Sequence, residues 1–494
     1  MTAGMTAGRG CATTMVTMTG TPLPQDFDIA IVGGGAGGVM TAIQTLRLSP
    51  LPLRIVLIEP AAALGQGVAY STSHPEHVLN VPARGMSAFD DAPGDFVAYL
   101  AEVGAEEEVG VARGEPAVMS SPLESRFIER HRYGRYLCDR LGRARASSLA
   151  RLQVVQDHVV ALSTDPATGA ARLRLGSGIE LRSAGVVLAL GNAARPLPAR
   201  GALALPAGRC LEAWDFDALK TIAVEEEVCI VGSGLSMVDT MLSLAADGHR
   251  GVVHALSRHA WLPMPHAATP AAAFDVEALL RMSLRQRLRR LRELARQVQA
   301  QGQPWQAVME RLRPHGQALW QSLSVADQRR FLRHGVRAWD VHRHRVAAPV
   351  HAQLQQLLRS GRLRLHRGRV QAVACQGGRI EVQALDVKGE VSRIGVDRVV
   401  NATGTEMRAW SMRNPLLTDL LAQGLVQPGP HGIGLRVARD GSAVDAQGHA
   451  LPWLQVLGSL RVGCLWESTA VPELRGQAEN AARCLLALHA NAPH

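Results

Sequence analysis

A six-residue cluster, Gly33-Gly34-Gly35-Ala36-Gly37-Gly38, constrains this chain more than any other feature of it. It follows the apolar run 27–32 and precedes an apolar-periodic stretch from Val39 to Leu48. Residues 53–58 then read as a second strand that ends at Glu59. Strand, glycine turn, helix, strand is the order of a βαβ unit. Gly33 permits the tight turn after the strand. Gly35 lets backbone approach a pyrophosphate and Gly38 lets the helix pack close to the sheet, and Gly37 is counted with them among the cofactor-binding residues. The helix N-terminus offers free N–H groups and the positive end of a dipole. Glu59 is positioned for a ribose, and its charge would repel a 2′-phosphate. FAD or NAD therefore fits this unit and NADP does not, and FAD is the cofactor assigned to it.

The pattern recurs roughly 200 residues further on. Residues 227–231 lead into Gly232-Ser233-Gly234, then a helix to Ala246, then a strand over 252–256 that ends at Ser257-Arg258. Gly33 to Glu59 and Gly232 to Arg258 both span 26 positions. Two units in register make an α/β fold with two Rossmann-like dinucleotide-binding domains. The second unit departs in two ways. Met237 stands where the third glycine would, which should hold the helix further from its sheet or force local repacking. Ser257 and Arg258 replace the carboxylate, and a hydroxyl with a guanidinium suits a 2′-phosphate. NADPH is favoured over NADH here; a degenerate unit that binds no nucleotide is the alternative.

Residues 185–192 and 397–404 form a second matched pair, each a strand running into a glycine, Gly191 and Gly404. Such segments carry the chain between two nucleotide domains. The expected division is a disordered leader over 1–26, an FAD domain over 27–215 and 395–494, and an NAD(P) domain over 216–394. Short strands over 362–394 close the second domain. A helical insertion over about 270–345 carries an apolar face (Leu284, Leu288, Leu291) beside a stripe of Arg281, Arg285, Arg289, Arg292 and Arg296. That stripe reads as a solvated surface.

The 494 residues call for two or three domains of roughly 100–200 residues each. The longest clean apolar runs are strand-length, well short of the roughly 18 residues of a membrane span. The net charge of +10 raises the question of nucleic acid. Of 53 basic residues only Lys220 and Lys388 are lysines, however, and no binding motif accompanies the charge, so no nucleic-acid role is expected. Seven scattered cysteines with no C-x-x-C fit a reducing cytoplasm and argue against a metal site. Near the C-terminus, Glu467-Ser468-Thr469 precedes Pro472, which suits the first turn of a helix. Ser468 and Thr469 are candidate caps, and a helix end aimed at a flavin would stabilise negative charge on the reduced ring.

Several segments together resemble a known group. They are the glycine cluster with Glu59, Gly65-Gln66-Gly67-Val68-Ala69-Tyr70-Ser71-Thr72, His77-Val78-Leu79-Asn80-Val81-Pro82-Ala83, and Gly232 to Asp239. To these add Trp339-Asp340-Val341-His342-Arg343-His344-Arg345 and Trp466-Glu467-Ser468-Thr469-Ala470-Val471-Pro472-Glu473. The chain is similar to the bacterial FAD/NAD(P)-binding oxidoreductases near the flavin-dependent N-hydroxylating monooxygenases. The resemblance implies an FAD- and NADPH-dependent monooxygenase that oxidises a small amine or amino-acid-like molecule through a flavin hydroperoxide. The cofactor would carry the chemistry, and the protein would position the substrate and exclude water. Alternatives are a reductase that uses a quinone or protein acceptor, and a flavin-binding scaffold or redox sensor with a decayed second site. No cysteine lies between Glu59 and Cys138, unlike in dithiol reductases. The Phe-x-Gly-x-x-x-His-x-x-x-Trp element of Baeyer–Villiger monooxygenases is reduced here to Trp214, with Ala204, Pro206 and Cys210 at its other positions. Substrate candidates are Asn80, His342, Arg343, His344 and Arg345. An arginine pair can hold a carboxylate, although the cluster can equally serve local pairing at a domain seam.

Overall fold

The computed structural model describes residues 24–104 and 122–490. Of the expected leader only residues 24–26 fall within them, and Asp26 already opens the first strand. β1 (Asp26–Val32) runs straight into the glycine turn, α1 (Ala36–Leu48) follows, and β2 (Arg54–Ile58) lies parallel to β1 with Val32 opposite Ile58. α1 buries Val39, Ile43 and Leu46 against α2 (Arg130–Ser147) and the sheet. Burying side chains of this size stabilises by about 1.5–3 kcal/mol each. β3 (Arg151–Val155), β4 (Val159–Thr164), β5 (Ala171–Leu175) and β6 (Glu180–Leu188) come next. β6 returns parallel to β1 on its other side, Leu188 opposite Val32.

The second unit begins at β7 (Cys210–Glu212) and repeats the pattern with β8 (Val228–Val231), α3 (Leu235–Ala246) and β9 (Val253–Ser257). The helical insertion follows. Its main helices are α4 (Leu284–Ala300), α5 (Gln306–Leu312) and α6 (Val336–Arg343). Leu294, Val298, Val308 and Leu312 close a core of its own. The arginine stripe of α4 stays exposed at Arg285, Arg289, Arg292 and Arg296. α7 (Ala348–Arg359) then returns to the second sheet, which continues with β10 (Leu363–Arg367). β11 (Arg369–Gln376), β12 (Arg379–Leu385) and β13 (Val391–Val396) form an antiparallel trio, and β14 (Arg398–Asn401) rejoins the second sheet. Its order is β10-β9-β8-β14-β7, parallel throughout.

The chain ends in β15 (Ser442–Val444), β16 (Ala450–Val456) and α8 (Val471–Ala490). These complete a first sheet of order β15-β16-β6-β1-β2-β3, with β5 and β4 antiparallel off β6. Two short strands sit differently from the sequence reading: β7 and β14 pair in the second sheet, whereas the expected division places 210–212 in the first domain and 398–401 in its return. A strand followed by glycine does not announce which neighbour it will hydrogen-bond to. No helix among the described residues is long and apolar enough to cross a membrane.

The two units are clamped together. His77, fully buried on the first, meets Thr72 Oγ1 through Nδ1 at 2.6 Å, and through Nε2 the Asp239 carbonyl at 3.0 Å and Ser243 Oγ at 2.9 Å on α3. Arg130 holds the Asp239 carboxylate with both terminal nitrogens, at 2.6 and 3.1 Å. His266 of the insertion reaches the Asn80 carbonyl at 3.0 Å. Burial keeps His77 below the usual histidine value of 6.5 and lowers His266 to about 4. The unfolded chain therefore takes up protons that the folded one refuses. This contribution is whole above about pH 6.5 and is lost as pH falls toward 4. For His266 the loss by pH 5 is on the order of 2 kcal/mol. Denaturant unfolding of wild type and His266→Gln at pH 7 and pH 5 checks it, and equal acid losses in the two proteins would remove His266 as a cause.

Candidate functional site

The first glycine turn is shaped by what a side chain would strike. Gly33 takes φ of +105°, and a Cβ there would lie 2.3 Å from the Ala189 carbonyl oxygen just past β6. A Cβ on Gly38 would lie 1.8 Å from the Gly33 carbonyl oxygen. Gly35 differs, since the nearest protein atom to its Cβ would be the Gly67 Cα, 3.6 Å away. Gly37 faces Leu474 of α8 at 3.7 Å. Gly35 heads α1 with no side-chain cap, so the first amides of the helix remain available to an anion. Glu59 accepts from Gly34 N at 2.6 Å and from Ala61 N at 2.9 Å, one oxygen each, which fixes the carboxylate at the strand end with lone pairs left for ribose hydroxyls. These residues fit an adenine dinucleotide.

The second turn repeats the first. Gly232 takes φ of +126°, and a Cβ there would lie 2.0 Å from the Ala402 carbonyl oxygen, as Gly33 relates to Ala189. Gly234 has nothing within 4 Å and heads α3 uncapped. Met237 is fully buried. Its side chain belongs to the core that α3 shares with β8 and β9, together with Ile230, Met241 and Val253.

Ser257 Oγ sits 2.8 Å from Ser233 Oγ and accepts from Ala260 N at 3.0 Å, so its hydroxyl serves the local turn. Arg258 remains exposed. Partial burial, followed by Arg337, Arg369 and Arg195, lowers its proton affinity, the signature of several guanidiniums gathered at one place. The Gly368 amide donates to the Ser257 carbonyl at 2.9 Å and so brings Arg369 alongside. Beyond Arg258, His259 stacks on the half-exposed Trp261 ring at 4.5 Å. Gly404, at φ of +90°, lies where the chain leaves the second sheet, and its carbonyl accepts from Arg195 N at 3.4 Å.

Between the two turns the helical insertion meets the C-terminal segment. Trp466 has φ of 63° and ψ of −65°, and Glu467 N donates to Leu465 O at 2.8 Å. This is a γ-turn, a strained conformation in a non-glycine residue. The Trp466 ring stacks on Trp320 at 5.2 Å, which helps to hold it. Glu467 is buried, accepts from Trp339 Nε1 at 3.0 Å and faces Arg343 at 3.2 Å. It therefore ties the insertion to α8. Ser468 Oγ donates to the Gly458 carbonyl at 2.9 Å, and Thr469 is exposed. Gln477, which sequence reasoning missed, fastens this segment by accepting from Gly458 N and donating to Ser468 O.

The substrate candidates separate. His342 is exposed and turns back to the Ala338 carbonyl at 2.7 Å, away from the seam. Asn80 joins it through the carbonyl that accepts from His266. Arg343 and Arg345 are 8% and 2% exposed, and Arg345 is paired with Glu310. Yet Arg343 Nε, Arg345 Nε and Nη1, Arg313 Nη2 and Glu473 Oε2 are buried without hydrogen-bond partners. Burial raises the Glu473 carboxyl above the usual range and lowers Arg313, which also feels Arg343. Glu310, Arg313 and Glu473 escaped sequence reasoning because only tertiary packing brings α5, the segment after it and the first turn of α8 together. His344 lies in the same seam and keeps 42% of its side chain open. Among the described residues no group of three or more His, Cys, Asp or Glu side chains could hold a metal ion.

A family model described as FAD-NAD(P)-binding matches residues 30–193, the whole first glycine unit. No curated protein matches the chain in sequence. Solved structures match it in fold. An ornithine N-hydroxylase from Kutzneria sp. 744 is 15% identical, with 94% of this chain and 100% of that one covered and a TM-score of 0.63. L-lysine 6-monooxygenase from Pseudomonas syringae is 18% identical, with coverage of 93% and 99% and a TM-score of 0.62. Thioredoxin reductase from Lactococcus lactis is 11% identical, with coverage of 94% and 100% and a TM-score of 0.52. At such identities the likeness is one of fold. The chain thus carries an FAD-NAD(P)-binding domain over residues 30–193 within the fold of the two-dinucleotide-binding flavoproteins.

Proposed function

We propose that this protein is an FAD- and NADPH-dependent monooxygenase that oxidises the nitrogen of a small amine carrying a carboxylate. The observation that carries the reading is the pair of glycine cradles flanking a seam whose buried arginines keep unpartnered donors. FAD would lie along Gly33, Gly35, Gly37, Gly38 and Glu59, with its ring toward Glu467, Ser468, Thr469 and the first turn of α8. NADPH would lie along Gly232, Gly234, Ser257 and Arg258, with Gly404 at the crossing between the two. Bound FAD would supply the redox chemistry, taking a hydride from NADPH and passing one oxygen atom of dioxygen to the amine.

The chain's own residues would do the rest. Arg313, Arg343 and Arg345 offer donors to a carboxylate. Glu473 offers an acceptor to an ammonium. Asn80 and His266 close the seam against water. The ornithine and lysine hydroxylases of like fold act on substrates of this chemistry, which supports the reading.

The test is NADPH oxidation in air with and without ornithine, lysine and related amines, assayed for hydroxylamine and for peroxide. Amine-dependent hydroxylamine supports the proposal. Ready flavin reduction with reoxidation only by a quinone would favour a reductase instead. For the nucleotide, Arg258→Ala should raise KM for NADPH by about tenfold or more, the loss of one charge-assisted contact, and leave KM for NADH unchanged. Equal effects on both would remove the 2′-phosphate role.

A further inference from the structure

One residue of the seam is suited to move a proton. His344 caps the C-terminal end of α6, and its amide donates to the Asp340 carbonyl at 2.8 Å. Its neighbours are pinned on both sides, Arg343 against Glu467 and Arg345 against Glu310. The ring between them is therefore held, but it makes no hydrogen bond of its own among the described residues. The Asp340 carboxylate lies 4.0 Å from its Nε2. The other histidines nearby are committed, His266 to Asn80 and His342 to the outer face of α6.

Resting on the functional reading above, we propose that His344, oriented by Asp340, takes the proton from the substrate's ammonium group. Only a neutral amine has the lone pair that can accept an oxygen atom, and an alkylammonium at neutral pH has none. The step is R–NH3+ plus imidazole giving R–NH2 plus imidazolium. The overall reaction, R–NH3+ + O2 + NADPH giving R–NHOH + H2O + NADP+, balances with that one proton. The proton His344 removes is the one that the second oxygen atom needs to leave as water. The groups that face the ring set its readiness. Burial, Arg343 and Arg313 favour the neutral ring, the form able to accept a proton, while Glu467 and Asp340 favour the charged one.

The test uses the full-length holoenzyme with L-ornithine and L-lysine as probe amines. His344→Gln should reduce its flavin with NADPH at the wild-type rate in the absence of oxygen. It should form hydroxylamine about 100-fold more slowly at pH 7, the range of a lost general base, and recover as pH rises and the free amine becomes available. Asp340→Asn keeps the imidazole but removes a charge that favours the imidazolium, so the acid limb of its rate profile should move to lower pH. Wild-type rate and pH profile in His344→Gln, or an unmoved acid limb in Asp340→Asn, would overturn the role of His344 alone. Wild-type enzyme that reduces its flavin but hydroxylates neither amine would overturn the functional reading and this proposal with it.

Discussion

Gly35→Ala is expected to leave the apoprotein's melting temperature unchanged and to cut its flavin content at least tenfold. Gly35 has φ of −67°, which alanine adopts without strain, and its Cβ would meet no protein atom closer than 3.6 Å. The space that the methyl enters is the approach to the amides of α1, where a pyrophosphate would lie. Gly38→Ala should behave otherwise. Its Cβ would fall 1.8 Å from the Gly33 carbonyl oxygen, so α1 must move off β1. Overpacking of this kind costs about 1–3 kcal/mol, and flavin is lost together with stability. Thermal melts of the apoproteins and flavin absorbance of the purified variants separate the two. Full flavin occupancy in Gly35→Ala would mean that no phosphate touches this turn.

Arg343→Met is expected to destabilise the fold by about 3–5 kcal/mol, because it strands the buried Glu467 carboxylate without its counter-charge. The double variant Arg343→Met, Glu467→Gln should recover most of that loss. The glutamine keeps an acceptor for Trp339 Nε1 and carries no charge. Urea unfolding of wild type and the two variants measures it. A double variant no more stable than the single one would show that the arginine matters through packing and not through the ion pair. The same pair connects α6 to the approach of α8, so single-variant protein that stays folded should also hold flavin less tightly.

The two nucleotide units were legible in the sequence because their glycines answer to backbone geometry. A residue at φ above +100° beside a neighbouring carbonyl must be glycine, and Gly33 and Gly232 both are. Met237 was visible as a departure from the glycine pattern, and its side chain is taken up in the core of the second unit. The seam was not legible. Glu310, Arg313 and Glu473 stand on separate elements, and nothing local in their sequence announces that they converge. The run His342 to Arg345 reads as one cluster, yet His342 is exposed on α6 while Arg343, at the end of that helix, and Arg345, beyond it, are buried. Ser257, expected to share a phosphate with Arg258, spends its hydroxyl on its own turn, and Arg337 and Arg369 stand near Arg258 instead. Motif spacing describes one strand and its turn. The arginines that gather there arrive from α6 and β11.

The most direct measurement is the visible spectrum of the purified protein, reconstituted with FAD and titrated with NADPH and NADH in the absence of oxygen. The account predicts a bound flavin spectrum that NADPH bleaches at far lower concentration than NADH. Protein that retains no FAD, or that holds a flavin which neither nucleotide reduces, would contradict it.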